Sequence, residues 1–289
     1  MKRILLCPKC KTELQLSDKS LKCKNGHSYD IAKQGYTNLV LGNSGSGGDD
    51  KEMCRSRHNY HNKDYYKCLS DKLADICSEY GFKTIIDAGC GEGYYLRKIR
   101  NKYKCTETAF DSFCGIDLAK EAVAIAARNE RDVEDNLKIE YAVAGIFDMP
   151  VSDCSVDCIL SVFAPVPEKE AFRVLKSSGI LIVVSPGEKH LEGLKDAIYE
   201  KTYDNETDIK EFDGFVLSER LFVKDTITVQ HENICELFHM TPYYWKTSEK
   251  DASKLSELNE LITKIEFILS IYKKVENFGT FDRLYSSKH

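Results

Sequence analysis

The stretch Thr84-Ile-Ile-Asp-Ala-Gly-Cys-Gly-Glu-Gly93 constrains the fold of this chain more than any other segment. It reads as an apolar strand over 84–87 that ends on an acidic residue, turns through glycines at alternate positions and enters a helix running to about Lys102. Glycines in such a turn let the backbone approach a ligand, and the helix N-terminus offers unpaired N–H groups. Strands and helices go on alternating downstream. Further strands are predicted at 113–116, 138–143, 158–163 and 180–184, with helices at 120–128 and 168–175. The order β-α-β-α-β-β-α-β predicts an α/β protein with a parallel sheet covered by helices on both faces. Upstream, residues 50–80 read as mostly helical, with Leu69, Leu73 and Ile76 at helical spacing.

The turn has a second carboxylate to work with. Asp117 ends the next strand, where an acidic side chain accepts hydrogen bonds from ribose hydroxyls. Asp87, Gly89, Gly91, Glu92, Gly93 and Asp117 are therefore the candidate cofactor-binding residues. Their G-x-G-x-G spacing is similar to the class I methyltransferase pattern for S-adenosylmethionine, and differs from the dinucleotide form G-x-G-x-x-G. An NAD site is the rival reading, and a helix cap is the bland one for Asp87.

A different chemistry opens the chain. Cys7-x2-Cys10-x12-Cys23-x3-His27 places two knuckle pairs about a dozen residues apart, which suits a closed, structural, tetrahedral Zn²⁺ site. Residues 1–40 are too few to bury a sufficient apolar core alone, so metal binding is expected to supply much of their folding free energy. The remaining nine of the twelve cysteines are scattered through apparent core segments, which favours a reducing compartment over disulfides. Residues 1–40 also carry a charge of +5, against −5 for the whole chain and hence −10 for the rest. That asymmetry describes either a basic contact module on an acidic body or a lysine-rich solvated surface. Gly42-Asn-Ser-Gly-Ser-Gly-Gly48 reads as a flexible linker or mobile loop, a hinge by which the module closes over a partner. No signal peptide or membrane span is expected, and the protein is placed in the cytoplasm.

Several segments together carry a family resemblance. They are the zinc signature, His27-Ser-Tyr-Asp-Ile-Ala-Lys-Gln-Gly-Tyr-Thr-Asn-Leu39, Gly48-Asp-Asp-Lys-Glu-Met53, Asp87-Ala-Gly-Cys-Gly-Glu-Gly-Tyr-Tyr95, Phe163-Ala-Pro165, Ser185-Pro-Gly-Glu-Lys-His190 and Met240-Thr-Pro-Tyr-Tyr-Trp245. In this order, from residue 7 to about 245, the chain resembles the RlmA family of 23S rRNA (guanine-N1-)-methyltransferases. The resemblance implies a Rossmann-like class I methyltransferase domain with a small N-terminal zinc-binding domain. It divides the chain into a zinc-binding RNA-recognition module at 1–40, a linker and connecting helix at 41–66, and the S-adenosylmethionine-dependent domain at 67–289. It assigns the metal to Cys7, Cys10, Cys23 and His27, and donor contacts to Tyr66, Gly91, Glu92, Asp117 and His190. The implied partner is a 23S rRNA hairpin, with no membrane; a homodimer is compatible with it. Where the family shows paired arginines ahead of the helix near Tyr66, this chain has Arg55-Ser-Arg57-His58, and its last forty or so residues match poorly.

Guanine N1 bears a proton that must leave before or during methyl transfer. Asp148, Glu188 and His190 are the candidate bases, by their location on loops near strand ends, and each has a structural or cofactor-binding alternative. The position after the fourth strand of the α/β domain reads Ser161-Val-Phe163-Ala-Pro165, without the Asn/Asp-Pro-Pro-aromatic motif of enzymes that methylate exocyclic amino groups. A base splayed out of RNA would need an aromatic surface, for which Phe163, Tyr243, Tyr244 and Trp245 are candidates alongside ordinary core packing. A small-molecule methyltransferase and a non-catalytic RNA-binding ribosome-assembly factor are the competing functions.

Overall fold

The computed structural model describes residues 3–42, 49–106, 111–134 and 138–275. Strands β1 (Leu14–Ser17), β2 (Ser20–Cys23) and β3 (Ser28–Asp30) form a small antiparallel sheet, and β4 (Thr37–Asn38) leaves it to join the main one. Helix α1 (Lys51–His61) starts at Asp50, whose carboxylate accepts the Met53 N–H at 2.8 Å. Helix α2 (Lys67–Tyr80) ends at Gly81, which takes the left-handed conformation at φ 64°. The expected helical stretch is thus two helices, broken where Asp64 turns with φ 56°.

The main domain follows as β5 (Thr84–Ala88), α3 (Tyr94–Thr106), β6 (Ser112–Asp117), α4 (Lys120–Arg128), β7 (Glu140–Val143), β8 (Val156–Val162), α5 (Glu168–Val174), β9 (Leu175–Pro186) and α6 (Glu192–Ile198). A long hairpin closes it: β10 (Phe215–Gln230), then α7 (His231–His239) and α8 (Glu249–Ser253), then β11 (Glu260–Lys274). The eight-stranded sheet runs β10-β11-β9-β8-β5-β6-β7-β4. Pairings from β4 to β9 are parallel, and β11 lies antiparallel between β9 and β10. Along β5, Ile85 enters the core on one face and Ile86 the core on the other, as a strand covered on both sides requires.

The parallel sheet agrees with the alternation of elements in the sequence. The hairpin was not foreseen: β10 is an edge strand with a mostly half-exposed or exposed surface, so its residues carry no clean alternation.

The zinc module is built into this sheet. Leu5 bridges to Val151, the Leu6 N–H donates to the Pro150 carbonyl at 2.7 Å, and Arg3 pairs with Glu140 at 2.9 Å. Ile4, Leu5, Leu14, Leu21 and Leu39 share one apolar core with Met149, Val151 and Ile159 of the main domain. Residues 43–48 of the expected linker lie outside the described residues.

Candidate functional site

The first candidate centre is the knuckle pair. Lys11, at φ 55°, and Gly26, at φ 81°, turn the chain so that the Lys11 N–H meets the Cys7 carbonyl at 2.8 Å and the Gly26 N–H meets that of Cys23 at 3.0 Å. The ligand atoms of Cys7, Cys10, Cys23 and His27 all lie within 4.8 Å of one another. A tetrahedral zinc would set sulfur–sulfur edges of about 3.8 Å and sulfur–nitrogen edges of about 3.5 Å, from its ordinary bond lengths. Cys10 and Cys23 are 3.7 Å apart, and His27 Nδ1 is 3.5 Å from Cys7 and 3.4 Å from Cys23. The four residues therefore fit a structural zinc. Two neighbours the sequence did not reveal complete it: the Tyr29 hydroxyl lies 3.1 Å from the Cys7 sulfur, and the Thr12 hydroxyl 3.2 Å from that of Cys10. The Thr12 hydrogen bond leads the effects that lower the Cys10 thiol to about 5, towards the thiolate a metal needs.

The second centre lies at the C-terminal ends of β5 and β6. Gly89, Gly91 and Gly93 all have positive φ, and a Cβ on Gly93 would overlap the Tyr141 ring. The turn brings the Gly91 N–H to 2.9 Å from the Asp117 carboxylate, which also accepts the Ala119 N–H at 2.8 Å. The pair singled out in the sequence is therefore in direct contact. Burial raises the Asp117 carboxyl, opposed by those two N–H groups. Leu118, the next residue, is 39% exposed.

Beneath the turn, Asp87 is fully enclosed, and neither carboxylate oxygen has a hydrogen-bond partner. Burial, and then the charge of Asp117, push it up to about 8. The buried Tyr95 hydroxyl is likewise unpartnered. Unsatisfied buried polar groups are rare in folded proteins and point to a missing partner. A cationic nucleoside with donor groups, which is what S-adenosylmethionine is, fits this set: Asp117 for its sugar, the glycine turn for close backbone approach, and Asp87 as an anion below.

Glu92 has another occupation. Its buried carboxylate meets His58 Nδ1 at 3.1 Å, His61 Nδ1 at 3.0 Å and Arg97 at 2.7 Å. Burial pushes this carboxyl upward, but Arg97 and the two imidazoles outweigh it and hold it well below the usual carboxylate range. An ionised Glu92 only accepts, so both imidazoles donate from Nδ1. Three residues on two elements thus tie α1 and α3 to the glycine turn. Arg57, ion-paired with Asp49, faces Gly91 from α1. His58, His61 and Arg57 were not singled out from sequence as site residues; the partner of the two histidines lies far along the chain.

Tyr66 and His190, 124 residues apart, meet at 3.2 Å. His190 Nδ1 accepts the Glu266 N–H at 3.2 Å, so the ring proton sits on Nε2, directed at the Tyr66 hydroxyl. Burial drives the imidazole down to about 3, only partly opposed by that backbone bond, and the ring is neutral at physiological pH. The other two candidate bases lie elsewhere. Asp148 is exposed and pairs with Lys11 of the zinc module at 2.8 Å, and Glu188 is exposed, with its carbonyl accepting the Asn205 N–H at 3.0 Å.

Comparison with known proteins matches both centres. The RlmA N-terminal zinc-ribbon family model covers residues 5–41, and a methyltransferase-domain model covers 82–253. A 23S rRNA (guanine(748)-N(1))-methyltransferase of Streptomyces fradiae is 32% identical over 201 residues, 68% of each chain. A Bacillus subtilis protein, provisionally named a 23S rRNA (guanine-N(1)-)-methyltransferase, is 30% identical over 264 residues, 87% of this chain and 90% of its own. One from Micromonospora griseorubida, provisionally named likewise, is 27% identical over 288 residues, 90% of this chain and 93% of its own.

Proposed function

This chain belongs to the RlmA-type 23S rRNA (guanine-N1-)-methyltransferase family, and from that premise we propose that it transfers a methyl group from S-adenosylmethionine to N1 of a guanine in a 23S rRNA hairpin. Residues 1–40 serve in this reading as the RNA-recognition module, 41–66 as linker and connecting helix, and 67–289 as the catalytic domain. Among the described residues, no helix is long and apolar enough to cross a membrane. The reaction belongs in the cytoplasm, where its substrate is made.

The observation that carries the cofactor assignment is the contact of Gly91 with Asp117, beside a buried Asp87 carboxyl that has no hydrogen-bond partner. When bound, S-adenosylmethionine supplies an electrophilic methyl group on a sulfonium, which is displaced in line. Asp117 is the acceptor for the ribose hydroxyls, and Asp87 the counter-charge. Tyr66 and His190 meet beside Phe163, whose neighbour Ala164 abuts the glycine turn. With Nδ1 already taken by the Glu266 N–H, His190 can accept a proton only by giving up that bond. We therefore assign it to holding Tyr66, and not to taking the guanine N1 proton. Positioning of the base against the donor is the main catalytic device.

Reverse transcription across 23S rRNA transcripts treated with enzyme and donor tests the reading, because N1-methylguanine blocks Watson–Crick pairing. One new stop at a guanine, absent with Asp117→Ala, is expected. Methylation of small molecules with no stop on any transcript would replace RNA as the substrate.

A further inference from the structure

We propose that Phe163 is the surface on which the target guanine stacks, an inference that rests on the RNA reading above. Four aromatic side chains came forward from the sequence, and the structure separates them. Tyr243 and Tyr244 are half-buried and pack into the main core, against Tyr199 and Phe238 respectively. Trp245 is exposed but sits on the outer side of a short turn, with its ring against Tyr244.

Phe163 is differently placed. It is the residue after β8, a central strand, and its N–H extends the ladder to the Val184 carbonyl at 3.1 Å. The next residue, Ala164, abuts the glycine turn so closely that a Cβ on Gly89 would fall 2.6 Å from its own. The buried Ser161 hydroxyl pins this loop by donating to the Ala164 carbonyl at 3.1 Å. The Phe163 ring leans on His190 at 6.0 Å with an interplanar angle of 30°, and on Phe267 at 5.9 Å, yet 45% of the residue is open to solvent. A half-exposed aromatic ring is thus held rigidly beside the glycine turn.

Its backbone is also strained. Phe163 has φ 54°, a left-handed conformation that a bulky side chain rarely adopts. Leu191, next to His190, does the same at φ 57°. Two bulky apolar residues in this state adjoin one ring stack, Phe163 just past the end of β8 and Leu191 at the start of α6. Such strain persists where surrounding structure enforces it, and it gathers at sites where a side chain must be aimed. A solvent-facing phenylalanine stabilises nothing by its exposed surface, so the direction of the ring is what the strain secures. Base–aromatic stacking is tolerant of base identity and needs only a flat face.

The test compares Phe163→Leu, Phe163→Tyr and Phe163→Gly. Glycine takes φ 54° without strain, so Phe163→Gly folds even if the loop depends on its conformation. The expected result is a fall of about 10- to 100-fold in kcat/KM for the RNA hairpin with Leu and Gly, and activity within a few-fold of wild type with Tyr, the range that loss of one stacked base implies. S-adenosylmethionine affinity by calorimetry is expected to stay within about twofold, since stacking concerns the RNA alone. Leu and Gly variants that methylate RNA like wild type overturn the inference. So does an equal loss of cofactor affinity, which would make Phe163 a wall of the cofactor site. A wild-type protein that methylates no 23S transcript overturns the RNA reading, and this one with it.

Discussion

Replacing Asp87 by Asn tests the counter-charge proposed for the donor. In the folded protein this carboxyl is raised from 3.8 to about 8, so the folded state holds a proton that the unfolded chain releases above about pH 4. Between those values the folded state binds more protons, and linkage then requires stability to fall as pH rises. At about 1.4 kcal/mol per pKa unit, the group costs roughly 2 kcal/mol at pH 5 and roughly 4 kcal/mol at pH 7, levelling off above pH 8. Asn has the same shape and does not titrate. Urea denaturation of both proteins from pH 4 to pH 9 should show Asp87→Asn gaining on wild type by about 5 kcal/mol across that span. The same variant loses the counter-charge for the donor, and a charge-assisted contact is worth about 1.5–3 kcal/mol, or roughly 10- to 100-fold in S-adenosylmethionine affinity. Calorimetry at pH 7 in buffers of different ionisation enthalpy should show wild type releasing a proton on binding and the variant releasing none. Parallel pH–stability curves for the two proteins would refute the argument, because the buried charge would then not be titrating as described.

Two further perturbations test the supports of the site. Chelation of the metal, or Cys23→Ser, should unfold the knuckles and uncover Ile4, Leu5 and Leu39, lowering the Tm of the whole chain by several degrees; circular dichroism and metal analysis of the protein measure it. Glu92→Gln leaves Arg97 and two imidazoles without their anion, and breaking a buried ion pair costs about 3–5 kcal/mol. Because the Glu92 carboxyl is held below its ordinary value, that stabilisation is present above the usual carboxylate range and lost as pH falls beneath it; denaturation at pH 7 and pH 3 should show the variant's deficit shrinking in acid.

What the sequence showed, and what it concealed, divides by distance along the chain. The strand–turn–helix at Asp87–Gly93 was legible because glycine spacing, strand and helix are all local, and the zinc ligands because metal geometry imposes its own spacing. Asp117 followed from the same logic one strand later. The tie of His58 and His61 to Glu92 spans 34 and 31 residues, and no local pattern marks it. Tyr66 and His190 were reached only through family resemblance, since a tyrosine at a helix start and a histidine in a loop carry no signal by themselves. The hairpin of β10 and β11 escaped for a similar reason: inserting a late strand antiparallel between two others is a decision of topology, which side-chain periodicity does not encode.

The two centres, far apart in sequence, are joined by one strand. The Leu39 N–H, at the end of the zinc module, donates to the Val143 carbonyl at 2.9 Å; the Ala144 N–H, one residue on, donates to the Asp117 carbonyl at 3.1 Å. The end of β7 therefore bonds to the module on one side and to Asp117 on the other. On the opposite edge of the module, Lys11 grips Asp148 in the loop that follows. Swinging the module away would break these bonds and expose part of a shared apolar core, at a cost of several buried side chains of about 1.5–3 kcal/mol each. On the RNA reading proposed above, a module seated this firmly acts as a fixed ruler that presents RNA to the glycine turn at one distance. In that reading the adjustment that brings N1 to the donor falls to the nucleotide, which must leave its stack, and the stacking proposed at Phe163 is where it would settle.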